Sequence, residues 1–210
     1  TYIERGIPSE KIHTLPYGVL LDRFQKVADP PADRFQVLYV GRISLPKGFQ
    51  YLLQAFANLR VPNKHLTVIG GVLPHMRSVL EKLPQDSVTF TGTMPQTQLK
   101  EWMSRSHVMV MPSLDEGMAL VQGQALACGC PIIATTNTGA EDLFTEGVEG
   151  FIVPIRDPAA LTDRMQRLAE DPALQRRMSE AALARVHQLG GWQQYGDGWE
   201  RLLQNLTGQT

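Results

Sequence analysis

The chain has 210 residues, 43% of them hydrophobic and 20% charged, with a formal net charge of -1. Such a composition supports one substantial core and excludes a disordered or collagen-like chain. The near-neutral balance argues against a nucleic-acid partner, yet leaves room for a local basic pocket that holds a single diphosphate.

The opening residues, Thr1-Tyr2-Ile3-Glu4-Arg5, carry no Met and no signal-peptide pattern, and they read as the middle of a longer chain. Ile12 to Leu15 is a candidate leading strand. Val37-Leu38-Tyr39-Val40 is the first clear buried strand, and His65 to Ile69, Ser87 to Phe90, Val108 to Met111, Pro131 to Ala134 and Gly150 to Val153 follow. These runs are short and mostly apolar, as strands are when helices cover both faces of a parallel sheet. Helical patterns lie between them: Phe49 to Leu59, Leu73 to Leu83, Gln96 to Ser104 and Met118 to Cys128. The alternation predicts an α/β protein, with a doubly wound Rossmann-like parallel sheet of about six strands and helices on both faces.

From Asp157 the pattern is purely helical, broken at Asp171-Pro172 and again at Gly190-Gly191. Trp192, Tyr195, Trp199, Leu202, Leu203 and Leu206 then line one face of a final amphipathic helix. Residues 1–190 are therefore read as one Rossmann-like domain and 191–210 as a separate helix. No apolar run reaches the roughly 18 residues that span a bilayer. Cys128 and Cys130 sit too close together for an ordinary disulfide and read as small buried hydrophobes in a reducing compartment.

Ligands of open parallel sheets bind at the carboxyl ends of the strands, so the residues after each strand matter most. The first such loop, Gly41-Arg42-Ile43-Ser44-Leu45-Pro46-Lys47-Gly48, sets Arg42 and Lys47 five residues apart before a helix. Two cations beside backbone amides suit a diphosphate and the charge that grows on it as it leaves; the competing reading is an exposed basic loop. Gly70-Gly71 permits close backbone approach or simply makes a turn. The Thr91-Gly92-Thr93-Met94-Pro95 loop either lines a planar base or turns a strand into a helix. No G-x-G-x-x-G fingerprint occurs, which counts against a dinucleotide oxidoreductase.

The most informative segment runs from Pro112 to Pro131. Its acidic loop carries Glu116 and Gly117, and a helix then opens on Met118, Ala119, Leu120 and Val121, whose free N–H groups can face a phosphate. Gln124 lies eight residues beyond Glu116, about 12 Å along a helix, the scale that separates a hexose from the ribose of a nucleotide-sugar. A capping acid and a buried glutamine remain the alternative.

On these residues the chain resembles the retaining glycosyltransferases of family GT4, which have the GT-B fold. The similarity runs through Gly6-Ile7-Pro8, Tyr17-Gly18-Val19, Val40-Gly41-Arg42, Lys47-Gly48, Pro112-Ser113…Glu116-Gly117, Ala125 to Thr135, Gly139-Ala140-Glu141-Asp142 and Gly150 to Pro154. It implies a nucleotide-sugar donor held by the C-terminal half of such a fold. Arg42 and Lys47 would bind the diphosphate, and Glu116 the sugar hydroxyls. Backbone at Ala119 to Val121 would touch the phosphate or sugar, Met94-Pro95 would line the base, and Gln124 would meet the ribose where the family has a second Glu. With Arg42, Lys47 and Glu116 as the catalytic set, the donor-contacting residues would be Gly41, Gly70, Met94, Gly117, Met118, Ala119, Leu120, Val121 and Gln124.

The resemblance further implies a UDP- or GDP-sugar as substrate, no metal and no other cofactor. An N-terminal acceptor-binding half would dock on the final helix, leaving its stripe partly exposed in this chain. None of His13, His65, His75, His107 or His187 fits the family's catalytic histidine. Gln124, Met118 and Ala119 replace the family's Glu, Phe and Gly, so a non-catalytic nucleotide-sugar-binding module stays open, as does an epimerase-like enzyme. A cytoplasmic location follows, at the inner face of the membrane if Arg164, Arg167, Arg176, Arg177 and Arg185 met lipid; interspersed acids weaken that membrane role.

Overall fold

The computed structural model describes residues 2–15 and 17–208. Six strands, β1 (Phe35–Val40), β2 (Lys64–Ile69), β3 (Val88–Gly92), β4 (Val108–Met111), β5 (Ile132–Thr135) and β6 (Gly150–Val153), form one sheet in the order β3-β2-β1-β4-β5-β6. Every neighbouring pair is parallel. Strand order reverses between β1 and β4, so the connections leaving these two strands run to opposite sides and open a crevice at their carboxyl ends.

Side chains alternate across each strand, and both faces are dry. Val37, Tyr39, Val68, Val110 and Ile133 face α1 (Phe49–Asn58) and α6 (Pro158–Glu170), with Phe49, Leu52, Phe56, Leu161 and Met165 in the same core. Leu38, Met109, Met111, Ile132 and Ala134 face the other way, toward α3 (Gln96–Ser104), α4 (Leu120–Ala127) and α7 (Pro172–Leu189). Each fully buried Leu or Phe in these layers contributes about 1.5–3 kcal/mol. Gln36 is the polar exception inside β1; its amide donates to Thr67 Oγ1 at 3.0 Å and to the Val37 carbonyl at 3.1 Å, which offsets its burial. Both cysteines are buried, and burial pushes the Cys128 thiol up to about 12.

The long helices start where local chemistry dictates. Asp157 and Asp171 accept from the backbone N–H of Ala160 and Leu174 at 2.9 and 2.8 Å, and each is followed by a proline that needs no N–H partner. Helix α8 (Trp192–Thr207) begins after Gly190-Gly191 and buries no residue. Trp192, Trp199, Leu203 and Leu206 are 41–66% exposed, so the predicted stripe does face outward. Tyr17 is its main partner, with ring centroids 6.0 Å from Trp192 and 5.5 Å from Tyr195.

Four elements differ from the reading of the sequence. Ile12 to Leu15 forms no strand. The helix expected over Leu73–Leu83 shrinks to a 3-10 turn at Pro74–Met76 and a single turn, α2 (Arg77–Leu80). Lys82 and Leu83 then close three-residue turns onto Val79 and Leu80, because Pro84 disfavours the helical conformation at the residue before it. The helix expected from Met118 starts at Leu120, since Ala119 is extended. A single turn, α5 (Ala140–Leu143), was not foreseen. Among the described residues no helix is long and apolar enough to cross a membrane.

Candidate functional site

The crevice between β1 and β4 holds a cavity of about 440 Å³. Its wall includes Gly41, Arg42 and Lys47 from the first loop, Ser113, Glu116, Met118 and Ala119 from the loop after β4, and Leu120, Val121 and Gln124 from α4. Tyr39, Val40, Met111, Gln96 and Leu99 complete it. Of the residues singled out in the sequence, Gly70, Met94 and Gly117 lie outside this wall. Gly70 instead shapes the first loop: its φ is +150°, and a Cβ there would sit 1.9 Å from the Gly41 carbonyl oxygen. Met94 packs against the core on the α4 side of the sheet. Gly117 is exposed, with open space where a side chain would be.

Both loops are held by backbone contacts rather than by chance packing. In the first, Ile43 bridges Val72 and accepts from and donates to the 71–73 segment, so the loop continues the sheet. The Tyr39 hydroxyl donates to the Arg42 carbonyl at 2.9 Å, and burial keeps that phenol neutral by raising its pKa. The two loops meet where the Leu114 N–H donates to the Pro46 carbonyl at 2.8 Å. They meet again where Gly48, at φ +65°, lies so close to Pro112 that a Cβ would fall 1.8 Å from its carbonyl oxygen.

The electrostatics are concentrated at three side chains. Lys47 Nζ is ion-paired with Glu116 Oε2, and both side chains keep about a quarter of their exposure. Burial first, and the Arg42 guanidinium second, pull the Lys47 ammonium below the usual lysine range. Helix α4 opens into the cavity with no side chain capping its first N–H groups, which leaves donors aimed at the place where an anion would sit. The wall thus offers two cations, free amides and one carboxylate, a set able to hold a diphosphate at one end and hydroxyl groups at the other. Gln124 is 8% exposed and lies farther along the same helix.

Sequence reasoning passed over Gln96 and Leu99, which reach the wall from the start of α3. Only the burial of Leu99 against the β1–β4 crevice identifies them, and that depends on tertiary packing.

A larger hollow, about 620 Å³, lies at the opposite end of the sheet, between the residues that precede β1, β2 and β4. Four of its lining residues are prolines and none is a glycine, so it presents few backbone donors; Asp29 and Asp33 also stand beside Arg34 and Arg176 there. The chemistry favours the smaller cavity. Among the described residues no cluster of three His, Cys, Asp or Glu side chains is arranged to hold a metal ion.

The chain is 34% identical over 194 residues to an alpha-D-kanosaminyltransferase of Streptomyces kanamyceticus, a match covering 84% of this chain and 50% of that protein. The chain spans about half the length of the curated relatives it matches. Its structure superimposes with a TM-score of 0.85 on sucrose-phosphate synthase from Thermosynechococcus elongatus, at 32% identity, covering 100% of this chain and 56% of the other. HepE of Anabaena in complex with UDP superimposes at 0.82 with 21% identity, covering 97% of this chain and 60% of HepE. Residues 22–185 match the family model described as glycosyl transferases group 1. With that match spanning most of the sheet and both loops of the cavity, the chain belongs to the group 1 glycosyltransferase family.

Proposed function

We propose that this chain is the donor-binding half of a retaining glycosyltransferase, moving a hexose-like sugar from a UDP- or GDP-sugar to an acceptor held by a second, N-terminal domain. The observation that carries the proposal is the convergence of Arg42, Lys47, Glu116 and the open start of α4 on one cavity at the sheet's switch point. In this reading the two cations and the α4 amides take the diphosphate and stabilise the charge on the departing nucleotide without a metal. Glu116 gives up Lys47 to the phosphate and accepts hydrogen bonds from the sugar. HepE, at 21% identity, lends the fold alone, but its bound UDP makes uridine the first base to try.

The exposed stripe of α8 is the proposed seat of the second domain, and residues 1–190 the nucleotide-binding unit. The enzyme would act in the cytoplasm, where buried Cys128 and Cys130 stay reduced. The isolated chain should bind nucleotide and transfer nothing. Calorimetry with UDP, GDP and ADP tests this, and no heat from any of them at millimolar concentration would overturn it.

A second reading, a module that binds nucleotide-sugar without catalysis, is favoured by one observation: the α4 position facing the cavity beyond Glu116 is the uncharged Gln124. Gln124→Glu in the full-length protein separates the two. An inactive parent that stays inactive with Glu supports the module.

A further inference from the structure

The side chain expected to select the sugar, Glu116, sits on a loop with no regular structure from Pro112 to Ala119. A free loop of that length would spend entropy each time it ordered around a ligand. This one is gripped by the end of β5 and the turn after it, residues 135–139, which contribute no residue of their own to the cavity wall. The Thr135 hydroxyl, 1% exposed as a residue, donates to the Ser113 carbonyl at 2.5 Å. The Asn137 amide donates to the Leu114 carbonyl at 2.9 Å, while the Glu116 N–H donates back to the Asn137 carbonyl at 2.9 Å. Gly139, at φ +65°, lies so near Gly117 that a Cβ would come within 2.8 Å of its carbonyl oxygen.

The turn is itself anchored. The Thr138 hydroxyl donates to the Thr135 carbonyl at 2.6 Å, and the Gln122 amide of α4 donates to the Thr138 carbonyl at 2.8 Å. The loop, the turn and α4 therefore close into a ring of hydrogen bonds with the Glu116 backbone inside it. Three backbone groups of the loop, at Ser113, Leu114 and Glu116, are held from one side.

From this geometry we infer that Thr135 and Asn137 are positioning residues for sugar recognition: they fix the Glu116 loop so that the carboxylate meets the donor sugar preorganised, without touching the nucleotide. The inference rests on the donor-site reading and deepens it. A clamp of this kind acts chiefly on the sugar, because the side-chain ligands of the diphosphate, Arg42 and Lys47, are held by a different loop.

The test uses Thr135→Val, which keeps the shape and removes the hydroxyl, Thr135→Ser, which restores it, and Asn137→Ala. Two measurements are made on each: hydrogen exchange of the 113–118 amides, and affinity for UDP and for UDP-glucose. Thr135→Val and Asn137→Ala should speed exchange in that loop and weaken UDP-glucose on the order of 3- to 10-fold, the scale of one hydrogen bond, with UDP changed much less. Thr135→Ser should behave as the parent. Unchanged exchange would overturn the clamp. Faster exchange with equal losses for UDP and UDP-glucose would overturn its role in sugar recognition. If the parent binds neither ligand, the donor-site reading fails and the sugar-recognition role falls with it; the exchange data still decide whether the clamp exists.

Discussion

Lys47 and Glu116 neutralise each other across the mouth of the crevice, ammonium against carboxylate. On the proposed reading, the two groups needed most by a sugar diphosphate would be mutually occupied until a ligand separates them. Replacing the acid by its amide should release the lysine. Glu116→Gln is expected to tighten UDP about 2- to 5-fold, the scale of a partly exposed ion pair, and to weaken UDP-glucose relative to UDP. Titration calorimetry with both ligands checks this; weaker UDP binding would contradict it.

Loss of either cation should fall on the diphosphate. Arg42→Ala and Lys47→Ala are each expected to cost about 1–3 kcal/mol in UDP binding, with uridine binding nearly unchanged. Equal losses for UDP and uridine would contradict the assignment.

The depressed Lys47 pKa gives this binding a pH signature. Of the two forms of Lys47 only the ammonium attracts phosphate, so affinity should be full at neutral pH and weaken as pH rises through a value below the ordinary 10.5. A bound anion favours the charged form, so complex formation takes up protons. Arg42→Ala removes one of the two causes of the depression and should move the alkaline limb upward. A limb that does not move would count against the coupling.

Gly48 tests the brace between the loops. Alanine there meets both a left-handed backbone and the Pro112 carbonyl. Gly48→Ala should lower stability by at least about 3 kcal/mol in urea unfolding followed by far-UV circular dichroism. A change under about 1 kcal/mol would show that the loops part easily.

His107 sets an acid limit to the fold. Burial holds its pKa at about 4 against an ordinary 6.5, and its Nδ1 accepts the Gln36 N–H at 3.0 Å. Between these two values the unfolded chain takes up a proton that the folded chain refuses. Stability is therefore unaffected above pH 6.5 and falls as pH drops from there toward 4, by about 2 kcal/mol after allowing for partial exposure. His107→Gln should flatten that slope in unfolding measured from pH 7 to pH 4.

How much of this was legible in the sequence varies by element. Strands such as Val37 to Val40 were plain, because burial on both faces writes a continuous apolar run. Helices α6 and α7 were plain too, each opened by an Asp-Pro pair that caps and starts it. The segment after Leu73 misled because its apolar spacing is helical while Pro84 stops the helix from the far end. Arg42, Lys47, Glu116 and Gln124 were readable from spacing and family likeness. Gln96 and Leu99 were not, since nothing in the chain order says that α3 leans over β1. Thr135 and Gly139, at the two ends of the turn, fell within the family likeness, but the grip of the residues between them on the Glu116 loop is a relation between segments about 20 residues apart.

The outward row of aromatics has a practical consequence for spectroscopy. The chain has three tryptophans, and none is in the core: Trp102, Trp192 and Trp199 are 37, 41 and 44% exposed. Two of them share α8 with Tyr195, edge to face at 5.6 and 6.4 Å. Intrinsic emission is therefore a poor thermometer for the sheet, whose melting leaves these indoles in water much as before. It is a sensitive reporter of whatever covers that helix, and a blue shift would register docking before any change in the core.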